Sequence, residues 1–399
     1  MSKKSGPYRG LSRREALKAV AVGACSLGMS LMSGCAPARP AEELPAANAE
    51  PRMGWFRPVR SPWFVSLEGS GPAGAGSTIR CTLCPRQCEL AAGERSPCRV
   101  RENRNGAGYT LSYANPALVQ VDPIERKPFY HVLPASRVMS ISTAGCNLAC
   151  KFCESWDLAL VHPEEVFASD LPPKEVIAHA QAAGVQAIGY AFGEPVAFFE
   201  YMADVAVLAR EAGLLNLVQT AGYIQPEPLQ MLVGTVDALN VDLKSFNPDF
   251  YRNVVGGELE PVLRTLKLLR KSGVHIEVTN LVIPTLNDDA ETIRKMCHWI
   301  INELGEGTPL HFARFYPLFQ LKALPRTPVA SLDQARAIAL EAGLQFVYVA
   351  KVIGHEGENT FCPQCKALLI KRIGFVIEEL ALENGQCKYC GASIPGRWA

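Results

Sequence analysis

The chain has 14 cysteines, and all but Cys25, Cys35 and Cys297 fall into three tight groups. Cysteines two or three residues apart suit metal chelation better than a disulfide framework, which belongs to small secreted chains with thin cores. In the middle group, Cys146-Asn147-Leu148-Ala149-Cys150-Lys151-Phe152-Cys153, the spacing is three residues and then two. Three such thiolates can wrap one corner of a cubane [4Fe–4S] cluster and leave its fourth iron without a protein ligand. A zinc site would need a fourth Cys or His, and His162 is the one candidate just downstream. In the last group, Cys362-x2-Cys365 and Cys387-x2-Cys390 are 21 residues apart. Two such knuckles facing one another make a tetrahedral zinc ribbon, with rubredoxin-like iron as the competing reading. The first group, Cys81, Cys84, Cys88 and Cys98, allows either zinc or a second iron–sulfur cluster.

These residues need elements to position them. Near-continuous apolar runs predict buried strands at 138–142, 185–190, 214–219, 238–242, 275–282, 309–314 and 345–349. Helical patterns lie between them at 173–183, 198–212, 261–271, 289–304 and 332–342. Several of these end in glycine, at Gly184, Gly213, Gly273 and Gly343, as helix C-termini often do. Strand–helix alternation implies parallel pairing with right-handed crossovers, in an α/β fold. The number of units falls short of a closed eight-fold barrel, so we expect a partial (β/α) barrel, although periodicity alone also allows an open doubly wound sheet.

On the Cys146–Cys153 motif after a first strand, the chain resembles the radical S-adenosylmethionine (SAM) enzymes. The resemblance implies a partial (β/α)6-type barrel. It also implies that the open iron takes the amino and carboxylate groups of SAM, so that one electron from the cluster breaks the sulfonium C–S bond and yields a 5′-deoxyadenosyl radical. Phe192-Gly193-Glu194-Pro195 looks like the family's Gly-Gly-Glu element, which would place Gly193 and Glu194 on the SAM amino group. Asp242-Leu243-Lys244 resembles the Asp-x-Lys of pyruvate formate-lyase activating enzymes, which sits beside SAM; a buried ion pair or helix cap is the plainer reading. Asn280 stands where relatives place a contact to the SAM ribose. The N-terminal Cys-x2-Cys-Pro-x2-Cys, residues 240–246, Ile283-Pro284-Thr285-Leu286-Asn287-Asp288, residues 311–317 and 358–363, and the closing Gly396-Arg397-Trp398 are similar to the radical SAM enzyme of the AmmeMemoRadiSam system. That resemblance implies Memo-like and AMMECR-type partner proteins and an electron donor of the reduced flavodoxin or ferredoxin type. The implied activity is hydrogen abstraction from a protein or a small molecule, with glycyl-radical activation as the subtype that the activating-enzyme resemblance points to, against a non-catalytic iron–sulfur carrier as the other class. Glu154-Ser155, Ala221 and Ala350-Lys351 depart from the family pattern. His311 and Arg314, leaving a strand near the expected barrel mouth, are further site candidates.

Ser12-Arg13-Arg14-Glu15-Ala16-Leu17-Lys18 resembles a twin-arginine export motif, followed by an apolar stretch too short to span a membrane. Met32-Ser33-Gly34-Cys35 resembles a lipobox, so a lipid anchor through Cys35 is expected, with a cytoplasmic location as the alternative. The expected organisation is a signal-like segment at 1–35, a flexible Pro/Ala/Gly linker at 36–77, an N-terminal Cys-rich lobe at 78–135, the barrel at 136–354, and a zinc-ribbon-like tail at 355–399. Lys and Arg total 40 against 39 acidic residues, so no electrostatic footprint for nucleic acid is present.

Overall fold

The computed structural model describes residues 50–67 and 77–398. The twin-arginine-like stretch and Cys35 lie outside the described residues. Among the described residues, no helix is long and apolar enough to cross a membrane.

The centre is one eight-stranded sheet. Its strands are β1 (Leu118–Pro123), β2 (Arg137–Ser142), β3 (Ala187–Tyr190), β4 (Leu215–Thr220), β5 (Ala238–Asp242), β6 (His275–Val282), β7 (Leu310–Arg314) and β8 (Val347–Ala350). They pair in strictly sequential order, β2 to β8 parallel and β1 antiparallel to β2. A doubly wound sheet would reverse its order at a switch point. A sequential order with right-handed crossovers instead puts every crossover helix on one face. The helices are α1 (Pro173–Ala182), α2 (Phe199–Glu211), α3 (Pro226–Val233), α4 (Leu259–Ser272), α5 (Ala290–Leu304) and α6 (Val329–Ala342). Helix α3 was not expected from the sequence, because Pro226 and Pro228 obscure its period. Both prolines fall in its first turn, where no intrahelical N–H is needed.

Strand alternation gives the two faces different chemistry. Ile141, Tyr190, Val218, Val241, Val278 and Phe312 face the helices and form the main core. On the other face, register pairs Asn240 with Glu277, Asp242 with Thr279, and His311 with Tyr348. The lower part of this inner face is plugged by residues 124–133, where Ile124, Phe129 and Val132 pack on Val138, Ala187, Leu217 and Ala238. Buried Glu277 holds the plug, accepting the backbone N–H of Tyr130 at 3.1 Å and of His131 at 2.9 Å. Burial disfavours the Glu277 carboxylate, but hydrogen bonds from His275 and His311 hold it well below the usual range.

Three expectations need correction. Residues 50–67 are not linker: Arg52–Met53 pairs with Phe167–Ala168, Val59–Arg60 with residues 109–110, and Phe64–Ser66 with Ile79–Cys81. Trp63, edge-on to Phe199 at 5.4 Å, supplies the apolar anchor that a flexible tether lacks. Strand β1 and the plug, assigned to the N-terminal lobe, belong to the barrel. His311 is not at the mouth. It is the second residue of β7, fully buried, with Nε2 2.6 Å from Glu277 Oε2.

The tail forms a small sheet of Thr360–Phe361, Leu368–Ile373 and Val376–Leu380. It clasps the plug from below. Buried Arg372 donates to the carbonyls of Tyr130 and Glu358, and the backbones of Arg397 and residues 131–133 exchange two hydrogen bonds of 2.8 Å. Gly396 is required here, because a Cβ would lie 2.6 Å from the His131 carbonyl oxygen.

Candidate iron–sulfur centre

The loop after β2 carries Cys146, Cys150 and Cys153. Its entry is Gly145, at φ +99°, where a Cβ would lie 2.8 Å from the Cys98 carbonyl oxygen, so only glycine fits. The loop is stapled to the segment before α4: Ala149 N donates to Val255 O at 3.0 Å and Lys151 N to Val254 O at 2.9 Å. Asn147 Nδ2 donates to Tyr223 O at 2.7 Å, and Leu148 and Phe152 are buried in the core. Cys150 is buried, and Cys146 and Cys153 are half-buried.

Burial pushes the Cys150 thiol up to about 12 and Cys146 well above its ordinary value. Without metal these groups hold their protons, and ligation would release them. Cys150 feels Lys244, Cys153, Asp242 and Glu194 electrostatically. The donor set fits an iron–sulfur cluster with one open iron, since it is three thiols of one short loop. His162 Nδ1 lies 3.3 Å from the Arg95 guanidinium. Beside Cys146, buried Asn147 Oδ1 has no hydrogen-bond partner within the protein.

Glu194 and Gly193 sit at the end of β3, in line with this loop. Glu194 accepts from Thr220 Oγ1 at 2.6 Å, Ala221 N at 2.9 Å and Val196 N at 3.1 Å. Burial still lifts its carboxyl above the usual value. Gly193 N donates to Ser142 Oγ at 3.0 Å, and a Cβ at Gly193 would collide with that oxygen. Both residues thus lock the ends of β2, β3 and β4 together and leave the backbone close to the loop.

Asp242 ends β5 on the inner face, and Lys244 Nζ donates to its Oδ2 at 3.0 Å. Burial opposes the Lys244 charge, but Asp242 and Cys150 raise its value. The turn is clamped by Tyr251 and Asn287. Lys244 N donates to Tyr251 OH, and Asn287 Nδ2 donates to Lys244 O. Asn287 Oδ1 also accepts from Ile283 N, which explains the spacing of Ile283 to Asp288. Asn280 is not brought to the inner face. It is in register with core Phe312, and its Nδ2 holds Leu243 O at 2.8 Å, so it braces the Asp242–Lys244 turn from behind. Arg314 ends β7, and its Nε donates to Thr327 O at 2.8 Å.

An ion pair between Asp242 and Lys244 is thus present, and it stands at the thiol loop. We expect Asp242→Ala and Lys244→Ala to weaken SAM binding about tenfold or more, at ~1.4 kcal/mol per decade, with iron content near wild type. Equilibrium binding of SAM to the reconstituted variants measures this; wild-type affinity in both would reduce the pair to a structural one.

Two departures from the family pattern meet in space. Lys351, after β8, places Nζ 2.6 Å from both carboxylate oxygens of Glu154, next to Cys153.

The tail cysteines form a different centre. Cys362 Sγ lies 3.6 Å from Cys390 Sγ, and Cys365 Sγ lies 3.7 Å from Cys387 Sγ. Among the described residues, this is the one group of three or more potential ligands whose atoms all lie within 4.8 Å of one another. It can hold a single metal ion.

Residues 140–298 match the Radical SAM superfamily. The chain is 43% identical over 318 residues to an uncharacterized protein of Methanocaldococcus jannaschii, covering 79% of this chain and 95% of that one. It is 29% identical over 178 residues to the pyruvate formate-lyase-activating enzyme of Clostridium pasteurianum, covering 42% of this chain and 72% of that one. It is 27% identical over 220 residues to the pyruvate formate-lyase 1-activating enzyme of Escherichia coli K12, covering 53% of this chain and 87% of that one. With three thiols on the loop that leaves the first parallel strand and a carboxylate–lysine pair beside them, the chain belongs to the radical SAM superfamily, as an enzyme that uses a [4Fe–4S] cluster to cleave S-adenosylmethionine reductively.

Proposed function

We propose that Cys146, Cys150 and Cys153 hold the cluster and that the enzyme abstracts hydrogen from a partner protein, in the way of a glycyl-radical activase. The observation that carries this is the meeting of the three thiols with Asp242 and Lys244 at one end of the parallel strands, in a chain homologous to two activating enzymes. When bound, the reduced cluster supplies one electron to the sulfonium C–S bond of SAM, giving methionine and a 5′-deoxyadenosyl radical. The chain's own residues position the reactants. Gly193 keeps the backbone at the β3 end close to the thiol loop, Glu194 fixes the Thr220–Ala221 turn, and Asp242 and Lys244 offer opposite charges to the zwitterionic methionine end of SAM. The electron comes from a donor of the reduced flavodoxin or ferredoxin type. Memo-like and AMMECR-type proteins are the partners we favour, on the motif resemblance to the AmmeMemoRadiSam enzyme.

The tail centre is best suited to structural zinc. Zinc–sulfur bonds of about 2.3 Å put tetrahedral thiolates about 3.8 Å apart, close to the 3.6 and 3.7 Å seen between the tail sulfurs.

The test is anaerobic reconstitution, then incubation with SAM and dithionite while 5′-deoxyadenosine is measured, alone and with each partner uniformly deuterated. We expect deuterium in the 5′-deoxyadenosine when the right partner is present. Cleavage that never takes deuterium from either protein would overturn the partner-protein reading.

A further inference from the structure

The N-terminal lobe brings Cys81, Cys84, Cys88 and Cys98 together by local turns. Cys81 N donates to Cys88 O at 2.9 Å, and Gln87 N to Cys84 O at 3.1 Å, with Gln87 in the left-handed region. Cys98 enters from a second turn, with Arg99 N donating to Ser96 O at 2.9 Å. Each of Cys81, Cys84 and Cys88 feels Cys98 electrostatically, so the four thiols form one group.

The spacing of that group differs from the tail's. No three of its sulfurs lie within 4.8 Å of one another, whereas all four tail sulfurs do. A single zinc ion draws thiolates to a tetrahedral edge of about 3.8 Å. A cubane cluster spreads its thiolates wider, because the width of the cluster lies between them. The Cys146, Cys150 and Cys153 sulfurs likewise do not all lie within 4.8 Å of one another.

Placement is the second observation. Cys98 and the loop of the first centre touch: a Cβ on Gly145, the residue before Cys146, would lie 2.8 Å from the Cys98 carbonyl. Arg86, between Cys84 and Cys88, donates through Nε to Asn147 O at 2.6 Å and through its guanidinium to Gly256 O. Leu83 and Cys84 share one apolar cluster with Leu148 and Cys150. Buried Arg101, paired with Glu200, sets a positive charge near Cys81 and Cys98, which favours an anionic group there. Cys88 and Cys98 are partly exposed, so the group reaches the surface.

We propose that Cys81, Cys84, Cys88 and Cys98 hold a second [4Fe–4S] cluster that relays electrons to the cluster at Cys146, Cys150 and Cys153. The proposal rests on the assignment of the first cluster given above. A one-electron donor of the ferredoxin or flavodoxin class reduces the N-terminal cluster and is itself oxidised. The N-terminal cluster returns to its oxidised state as it reduces the first. The electron ends in the C–S bond of SAM, which breaks to methionine and the 5′-deoxyadenosyl radical. No proton moves.

The experiment uses the full chain, reconstituted anaerobically with iron, sulfide and zinc all present. Wild type is expected to hold about eight cluster irons and the Cys146/Cys150/Cys153→Ala triple variant about four, since each cubane holds four. The reduced triple variant should give a [4Fe–4S] EPR signal that SAM does not alter, because four thiolates leave no open iron. The reduced wild type should show spin–spin broadening that each cluster-deleted variant lacks. Cys98→Ser, which keeps an oxygen ligand and the backbone turn, should lose cleavage driven by a reduced ferredoxin at least tenfold more than cleavage driven by dithionite. Zinc in the triple variant with iron absent overturns the proposal, as does a Cys98→Ser variant with wild-type iron and wild-type ferredoxin-driven cleavage. Failure of the first-cluster assignment gives a different pattern: iron in the triple variant, but a wild-type EPR signal that SAM leaves unchanged.

Discussion

Cys150→Ala should abolish 5′-deoxyadenosine formation, with a loss of at least ~1000-fold, or about 4 kcal/mol at 1.4 kcal/mol per decade. Cys150 is buried between Cys153, Lys244 and Asp242, in a loop whose backbone is held by Val254 and Val255. Alanine fills less space than the thiol without disturbing those hydrogen bonds, so the loop keeps its path while the cluster loses a ligand. Lys244 and Asp242 remain paired, which separates loss of the cluster from loss of the fold. Cys146→Ala and Cys153→Ala should behave alike. Anaerobic turnover with SAM and dithionite, with iron content and far-UV circular dichroism measured in parallel, checks the claim. Wild-type yield in any one of the three variants would refute the assignment of the cluster.

Cys387→Ser should have the largest effect on stability, more than about 4 kcal/mol, the range reached when a structural metal is lost. The tail is a small three-stranded sheet with few buried apolar side chains, too little to fold a lobe by itself. Zinc content should fall and protease sensitivity should rise after about Gly357. The effect reaches beyond the tail, because Arg372 and Arg397 tie it to the plug at residues 130–133. Leaving buried Arg372 without the carbonyls it donates to adds about 1–3 kcal/mol or more, since the donor is charged. The first cluster should still assemble at low temperature, since its ligands come from the opposite end of the strands. Elemental analysis and limited proteolysis decide it. Iron rather than zinc in the tail, with both metals offered, would mark the tail as an electron-transfer centre.

Chemistry that depends on short spacing was legible in the sequence. Cys146, Cys150 and Cys153 lie within eight residues, and each Cys-x2-Cys knuckle within four, so covalent geometry alone brings those thiols close. The seven parallel strands and most helices were legible too, because a buried parallel strand is apolar throughout and its helix repeats at 3.6 residues. Tertiary structure decided what depends on face, register and distant contact. Residues 50–67 read as linker by composition and are edge strands, because their partners at 79–81, 107–110 and 167–168 are remote in sequence. Asn280 was expected at the SAM ribose from the family resemblance, and His311 near the barrel mouth because it leaves a strand. His311 sits low on the inner face at Glu277, and Asn280 behind the Asp242–Lys244 turn. A shift of one residue along a strand moves a side chain to the other face, and the apolar pattern of a strand buried on both sides does not record which face is which. Glu154 and Lys351, 197 residues apart, were two unrelated departures until the sheet brought the end of β8 beside the thiol loop. The closeness of Cys98 to Gly145 has the same origin. Spacing along the chain specifies each cysteine group, but only the packed lobe specifies that two of the groups are neighbours.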